Sequence, residues 1–136
     1  MPNWVKNELI VTGKTEDVAR CVEYVGEVMD FEKIIPHEHV LMTSLWMSDW
    51  QREHWGTKWN AAACEEVILT PFGIDGTRTE AIYRFDTAWS TPEPVIRKII
   101  EDWPELEIDG GYIDEGYEGC GSFSAFQEYC QEGRAA

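Results

Sequence analysis

Three histidines are the first candidates for chemistry, because the imidazole ring is the commonest metal ligand in proteins. His37 and His39 are one residue apart, and on a strand this spacing would point both rings to the same side. His54 or Asp49 could supply a third ligand. The chain has no HExxH motif, however, and a His-x-His pair often arises by chance. The sequence therefore favours packed or exposed histidines and predicts neither a metal site nor a cofactor; a small metal-dependent enzyme remains an alternative.

The cysteines form no recognisable redox or zinc motif. They are Cys21, Cys64, Cys120 and Cys130. No two of them make a CxxC pair, and no histidine lies near them at zinc-finger spacing. A cysteine nucleophile would need an activating histidine, for which the chain has no local signature. The sequence therefore predicts free thiols in a reducing cytosol, although a Cys120–Cys130 bridge is sterically possible.

Other enzyme signatures are equally weak. With 26 acidic residues in the chain, pairs of carboxylates are inevitable and carry no evidence for glycosidase chemistry. The glycines Gly110 and Gly111 are not followed by the lysine and the helix of a phosphate-binding loop. The sequence therefore predicts a protein that is not an enzyme.

The acidic C-terminal third is the strongest clue to function. No Lys or Arg occurs between Ile99 and Gly133, and the whole chain has a formal net charge of -15. A soluble domain usually carries a net charge of roughly 2 to 8 in magnitude. A solvated face that aids solubility is the plain interpretation. The sharper hypothesis is that these carboxylates, which alternate with apolar residues and so stand on rigid elements, imitate the phosphates of a nucleic acid.

Two tryptophans complete the predicted partner-binding site. Trp46 and Trp50 are four residues apart, so on a predicted helix they share one face. Tryptophan is enriched at protein interfaces, although the seven tryptophans of this chain are mainly expected in the core. The predicted site consists of Glu101, Asp102, Glu105, Glu107, Asp109, Asp114, Glu115, Glu118, Trp46 and Trp50.

Length and composition predict a single folded domain over residues 1–136. The 43% hydrophobic and 12% aromatic content is too high for a disordered acidic tail. The N-terminus lacks the basic start and apolar run of a signal peptide, and no apolar run approaches the roughly 18 residues of a membrane span. We therefore expect a cytoplasmic protein with no membrane partner.

The periodicity of apolar residues predicts the elements that must position these side chains. They are strand 8–12, helix 15–28, strand 31–35, a Trp-rich insert at about 37–59 with a helix at 43–54, strands 61–70 and 79–88, helix 91–103, and a last β-region at 105–117. In strand 79–88, Tyr83 and Phe85 fall on the face predicted to be buried. The order predicts an α+β fold, a ferredoxin-like βαββαβ sandwich with the insert after the second strand. The insert is expected to cover the sheet face that the helices leave open.

Several blocks of the chain resemble one family. They are Met1-Pro2-Asn3-Trp4, Val11-Thr12-Gly13, Phe31-Glu32-Lys33-Ile34-Ile35-Pro36, Trp55-Gly56-Thr57-Lys58-Trp59-Asn60-Ala61 and Phe85-Asp86-Thr87-Ala88-Trp89-Ser90. In this order they resemble the Api92-like (YubB-like) proteins of phages and plasmids. The resemblance implies a ferredoxin-like domain and an origin in mobile genetic elements. It carries over no functional residues, since the family has no assigned catalytic activity, and Ser122–Cys130 departs from its pattern.

Together these inferences predict an acidic protein-binding module that inhibits a host defence complex, of the CRISPR-effector or restriction type, by mimicking nucleic acid. Its partner would be a basic nucleic-acid-binding host protein or complex, with no direct contact to nucleic acid. The alternative is an RNA-binding ferredoxin-like module that stacks bases on Tyr83 and Phe85. Phosphate contacts require Lys and Arg, however, and the chain has 11 of these against 26 acids. The oligomeric state is left open.

Overall fold

A computed structural model describes residues 3–36, 44–115 and 119–126, with the backbone alone at 44–48. The strands are β1 (Trp4–Lys14), β2 (Ile68–Phe72), β3 (Arg78–Ala88), β4 (Glu107–Asp114) and β5 (Cys120–Ser122). The helices are α1 (Thr15–Val25), α2 (Phe31–Ile34), α3 (Ser44–His54) and α4 (Glu93–Asp102), with a 3₁₀ turn at Ile74–Gly76. None of the helices in the described ranges is long and apolar enough to cross a bilayer.

The strands form one antiparallel sheet in the order β2-β3-β1-β4-β5. The central pair β1 and β3 is in register along its whole length, from Trp4 opposite Ala88 to Lys14 opposite Arg78. With α1 after β1 and α4 after β3, the first four strands follow the βαββαβ order. This confirms the predicted ferredoxin-like α+β fold, to which β5 adds a fifth strand beside β4.

The two faces of the sheet differ because successive side chains of a strand point to opposite sides. On the face that we call the covered face, Leu9 of β1 and Tyr83 and Phe85 of β3 are at most 2% exposed. Helices α1 and α4 cover this face and bury apolar residues at helical spacing: Val18, Cys21, Val25, Val95, Ile96, Ile99 and Ile100. The opposite face, which we call the open face, carries the alternate residues of the same strands.

Two threonines at the N-terminal ends of the long helices bond to distant residues. Thr15 is the first residue of α1 and donates its hydroxyl to the Gly76 carbonyl at 2.7 Å. Thr91 precedes α4 and donates to Asn7 Oδ1 at 2.8 Å. The cap residues are Lys14 and Pro92 instead. These hydroxyl groups therefore connect distant parts of the chain and do not cap the helices.

The predicted strand 31–35 is wrong, because this segment forms the short helix α2. The Asp30 side chain caps the helix by accepting a hydrogen bond from the Glu32 backbone N–H at 3.0 Å. The second strand of the sheet is therefore β2, and the Trp-rich insert lies before it rather than after it. Between insert and strand, the chain runs along the edge of β3, where Ala62 pairs with Asp86.

The described part of the insert packs on the covered side, which corrects the expectation that it shields the open face. Trp55 is 1% exposed, and its indole N–H donates to the Ile35 carbonyl at 2.8 Å. Its ring meets Phe31 edge-on at 5.8 Å, and Phe31 meets Phe85 in the same way at 5.9 Å. Because apolar rings are available on the covered side, the insert extends the helical layer.

Candidate functional site

The structure divides the predicted carboxylates between the two ends of β4. Glu107 at the start of the strand is opposite Thr12, and Asp114 at its end is opposite Val5. They are seven positions apart, which corresponds to about 23 Å along a strand. The predicted set therefore cannot act as one compact patch, and its two groups have to be considered separately.

The first group forms what we call the acidic end, where α4 ends and β4 begins. Its exposed carboxylates are Glu101, Asp102, Glu105 and Glu107. Asp102 is already engaged, since it accepts hydrogen bonds from the Tyr24 hydroxyl at 2.8 Å and from Lys98 Nζ at 3.3 Å. Two exposed bases, Lys14 and Arg78, also stand at this end of the sheet. The acidic end thus carries an excess of negative charge.

The remaining predicted acids lie elsewhere. Asp109 is exposed in the middle of β4, where its carboxylate accepts a hydrogen bond from the Gly110 N–H at 2.8 Å. Asp114 is half-buried at the end of the strand. Glu115 is exposed beyond it, and its N–H donates to the Trp4 carbonyl at 3.0 Å. Glu118 lies outside the described residues.

Trp50, one of the two predicted tryptophan anchors, is not brought to the acidic carboxylates. Trp50 is 7% exposed, stacks on the His54 ring at 4.4 Å and meets Trp55 edge-on at 5.5 Å. The structure therefore places Trp50 in the core and not on the surface, because its ring packs between these neighbours. The Trp46 side chain lies outside the described residues.

The described residues contain no group of three or more His, Cys, Asp and Glu side chains that could hold a metal ion. His54 is held against Trp50 by ring stacking, and its Nδ1 lies 2.9 Å from the Trp50 carbonyl oxygen. His37 and His39, the pair on which the metal hypothesis rested, lie outside the described ranges.

The thiols differ in reactivity because they differ in burial. Burial raises the pKa of Cys21 to about 12, and the negative charge of Glu105 adds to the shift. Burial also raises the pKa of Cys64, together with the charges of Asp30 and Asp86. Cys120 is exposed, and all three are free thiols. The thiolate is the reactive form, so buried Cys21 and half-buried Cys64 are poor nucleophiles at neutral pH. Cys130 is outside the described part.

The open face contains a groove of about 760 Å³. Its floor carries two cross-strand ion pairs, Arg84 Nε to Glu8 Oε2 at 2.8 Å and Lys6 Nζ to Asp86 Oδ1 at 3.8 Å. Ala63 stands on one side of the groove and Gly121 on the other. Because these charges are paired, the groove floor is polar without a strong excess of either sign.

The open face carries an apolar row between this groove and the acidic end. Ile10 pairs with Ile82, and Ile82 pairs in turn with Ile68 of β2. The aromatic residues on which the RNA-binding alternative rested are elsewhere, since Tyr83 and Phe85 are 1% and 2% exposed on the covered face. The prediction that these two rings belong to the core is confirmed.

A second concave site, which we call the tryptophan corner, lies at the Trp4 end of the sheet. It is a pocket of about 390 Å³ lined by Arg52, Gly56, Lys58, Trp89 and Ser90. The Trp89 side chain is 53% exposed, which is unusual for so large an apolar ring. Lys58 Nζ lies 5.1 Å from the centre of the neighbouring Trp59 ring, a cation–π distance.

Buried hydrogen bonds hold the backbone of this corner in an unfavourable conformation. Trp89 has φ +73°, a left-handed value that is rare for a bulky residue and costs roughly 1–3 kcal/mol. Asn7, 4% exposed, donates to Thr87 Oγ1 at 3.0 Å, and the Thr87 hydroxyl donates to the Ser90 carbonyl at 2.7 Å. Thr91 donates to Asn7 Oδ1 at 2.8 Å. This network fixes the turn that presents the Trp89 ring to solvent.

Sequence reasoning did not assign a role to the tryptophan corner. In the sequence, the Trp-Gly-Thr-Lys-Trp and Thr-Ala-Trp-Ser blocks indicate only a family resemblance. A combination of Lys58 with two nearby tryptophans was a usable signal, because bases interleaved with aromatic rings are typical of sites that bind anionic aromatic ligands. That Lys58 and Trp89, 31 residues further on, line one pocket depends on the fold.

A βαββαβ sheet with two long helices on one face defines the class of ferredoxin-like domains. A family model described as the ferredoxin-like domain in Api92-like protein matches residues 54–128, and the chain belongs to this family. The match includes β2 to β5, α4 and the whole tryptophan corner pocket except Arg52. A search of curated proteins and a search of solved structures each found no match.

Proposed function

We propose that the protein is a non-enzymatic acidic binding module of a phage or plasmid, which occupies the nucleic-acid site of a basic host protein. A CRISPR effector or a restriction enzyme is the kind of partner that this chemistry fits. The observation that carries the proposal is the acidic end, where exposed carboxylates stand at the junction of α4 and β4 in a chain of net charge -15.

The placement of these carboxylates supports the proposal on physical grounds. Glu101 lies on the last turn of α4 and Glu107 on the first position of β4, so the backbone of each is held by regular hydrogen bonding. Asp109 lies outside the acidic end but on the same face of β4 as Glu107, about 6.7 Å further along the strand, so we include it in the proposed binding surface. A charged array on a fixed backbone loses little conformational freedom when it binds, which favours affinity.

Electrostatics also sets the expected behaviour of the complex. An acidic surface that meets a basic groove accelerates association at low ionic strength, and the effect weakens as salt screens the charges. A true occupant of a nucleic-acid site must also compete with nucleic acid. Salt dependence and competition together separate this proposal from a face that only aids solubility.

The experiment begins with capture of the partner from a bacterial host lysate and its identification, followed by binding measurements with the purified partner. The test variant combines Glu101→Gln, Glu105→Gln, Glu107→Gln and Asp109→Asn. We expect this variant to bind its partner at least about 10-fold more weakly, because the loss of charge pairs across an interface lowers the association rate and raises the dissociation rate. A short DNA duplex should displace the unmodified protein.

A matched control neutralises the same number of exposed acids elsewhere: Glu23→Gln, Glu27→Gln, Glu65→Gln and Glu66→Gln. We expect the control variant to retain its affinity within about 3-fold, because none of its four acids belongs to the acidic end and salt screens the charges that lie outside the interface. Equal losses in both variants, an affinity that does not change with salt, or a complex that DNA cannot displace would overturn the proposal. Circular dichroism must show that both variants are folded.

A further inference from the structure

The tryptophan corner combines features that the proposed function does not use. In a chain with an excess of 15 negative charges, the described residues that line its pocket include two bases and no acid: Arg52 and Lys58 beside Trp89. Within the described residues, neither base lies within ion-pair distance of a carboxylate. With no acidic partner in the described part of the chain, these two cations are available for an anion from outside.

The aromatic ring supplies a second recognition element. Trp89 is 53% exposed although its turn is fixed by the buried network of Asn7, Thr87 and Thr91. A strained turn persists only when its surroundings hold it in place, and such strain concentrates at functional sites. The ring offers a flat apolar surface of the kind on which a nucleobase stacks.

Gly56 allows the segment that carries Arg52 and Lys58 to pack closely against the start of α4. Gly56 has φ +78°, and a Cβ built there would lie 2.6 Å from Pro94 Cδ at the start of α4. Ser90 donates its hydroxyl to the Gly56 carbonyl. The segment with Arg52 and Lys58 is thereby held directly against the turn that carries Trp89.

We propose that the tryptophan corner binds a mononucleotide, with the base stacked on Trp89 and the phosphate between Arg52 and Lys58. The volume of about 390 Å³ lies at the lower end of the range for small-ligand sites, which runs from roughly 300 to 1,000 Å³. A single nucleotide brings only one or two negative charges. A polynucleotide is disfavoured as the occupant, because the net charge of -15 repels a long phosphate backbone.

The test is calorimetric titration of the full chain with AMP, with adenosine and with inorganic phosphate. We expect AMP to bind at least about 10-fold more tightly than either adenosine or phosphate, since only AMP engages both the ring and the cations. Trp89→Ala should weaken AMP binding about 10-fold, within the range measured for loss of one stacked base. Trp89→Tyr should retain most of the affinity, because a flat ring remains.

The charge requirement is tested by Arg52→Gln with Lys58→Gln, which should also weaken AMP binding at least about 10-fold. The matched control is Lys6→Gln with Arg84→Gln, which removes the same charge from the open face and should leave AMP affinity unchanged. Unfolding midpoints identify any variant that fails to fold, and Trp89→Tyr keeps the stacking arm interpretable if Trp89→Ala does not fold.

The proposal is overturned if AMP binds no more tightly than phosphate, if the corner variants and the open-face control behave alike, or if a dT10 oligonucleotide binds and AMP does not. Each of these three results is distinguishable from failure of the proposed function. The acidic-end variant should bind AMP normally, and the corner variants should retain the protein partner.

Discussion

The covered and open faces of the sheet are built from the same strands but have different physical roles. In β3, Phe85 is 2% exposed on the covered face, whereas its neighbour Arg84 has a side chain that is 46% exposed on the open face. In β1, the same change occurs between Leu9 and Glu8. Neighbouring residues of one strand therefore differ in role: those on the covered face determine stability, whereas those on the open face are free to bind.

The two ends of the sheet form a second contrast. β1 begins at Trp4, beside the tryptophan corner, and ends at Lys14, beside the acidic end. Its 11 residues span about 33 Å, several times the Debye length of roughly 8 Å at physiological salt. The two candidate binding sites are therefore electrostatically independent, and variants at one should not affect the other.

The largest difference between the two faces should appear when an apolar side chain is removed from each. We expect Phe85→Ala to lower the free energy of unfolding by about 3–5 kcal/mol, because it leaves a cavity beside Phe31. Ile82→Ala, at a half-buried position of the open face, should cost less than about half as much. Urea unfolding followed by circular dichroism measures both, and equal losses would mean that the open face is covered.

A smaller loss of stability is expected when alanine replaces a glycine whose missing side chain leaves room for a neighbouring strand. Gly110 has φ +92°, and a Cβ there would lie 1.9 Å from the Glu8 carbonyl oxygen of the neighbouring strand. We expect Gly110→Ala to cost at least about 2 kcal/mol, since the β1–β4 pairing must shift. Gly119 has no atom within 4 Å of the same position, so Gly119→Ala should change stability by less than about 0.5 kcal/mol. Thermal unfolding of the two variants compares them directly.

The buried layer on the covered face should also make the stability of the protein depend on alkaline pH. Burial raises the pKa of Cys21 from 9.0 to about 12, so folding favours the neutral thiol. The resulting stabilisation is fully present below pH 9 and is lost as the pH rises to about 12. Cys21→Ala should therefore reduce the loss of stability over this range, measured as the urea midpoint at successive pH values.

Thiol labelling provides the control for this prediction. Exposed Cys120 should react with a disulfide reagent in the folded protein, whereas Cys21 should react only after unfolding. The pKa values of Tyr24 and Tyr83 are also raised by burial, so some alkaline loss should persist in Cys21→Ala. An identical pH profile for the variant and the unmodified protein would contradict the prediction.

The smallest effect is expected from the ion pairs of the open face. Glu8 and Arg84 lie 2.8 Å apart, but both side chains are more than 40% exposed. Exposed pairs of this kind contribute little to stability, because solvent screens them and ordering the side chains costs entropy. We expect Glu8→Gln to leave the unfolding midpoint unchanged within error. A clear loss would show that the open face adds to the stability of the fold.

Much of the fold could be predicted because its signals are local. The alternation in β3 and the helical spacing in α4 both appear within about ten residues, and both predictions are confirmed. Helix α2 was missed because Phe31–Ile34 is too short for its period to distinguish a helix from a strand. The Asp30 cap and the packing of Phe31 against Trp55 decide it instead.

The candidate sites could be predicted only in part. The acidic residues were visible as a run without bases, yet the direction of β4 separates Glu107 from Asp114. Trp50 was predicted to be an anchor because of its spacing from Trp46, which does not indicate which side of a helix faces the core. The tryptophan corner was not predicted, since its residues come from two separate segments of the chain.

By itself, the sequence determined the net charge, the alternating strands and the apolar helix faces, because these properties depend on composition and on neighbouring residues. Only the tertiary structure decided which carboxylates share one end of the sheet and that Trp89, Arg52 and Lys58 line one pocket. Those relations arise from the packing of the helical layer and the register of the strands, which bring together residues that are far apart along the chain.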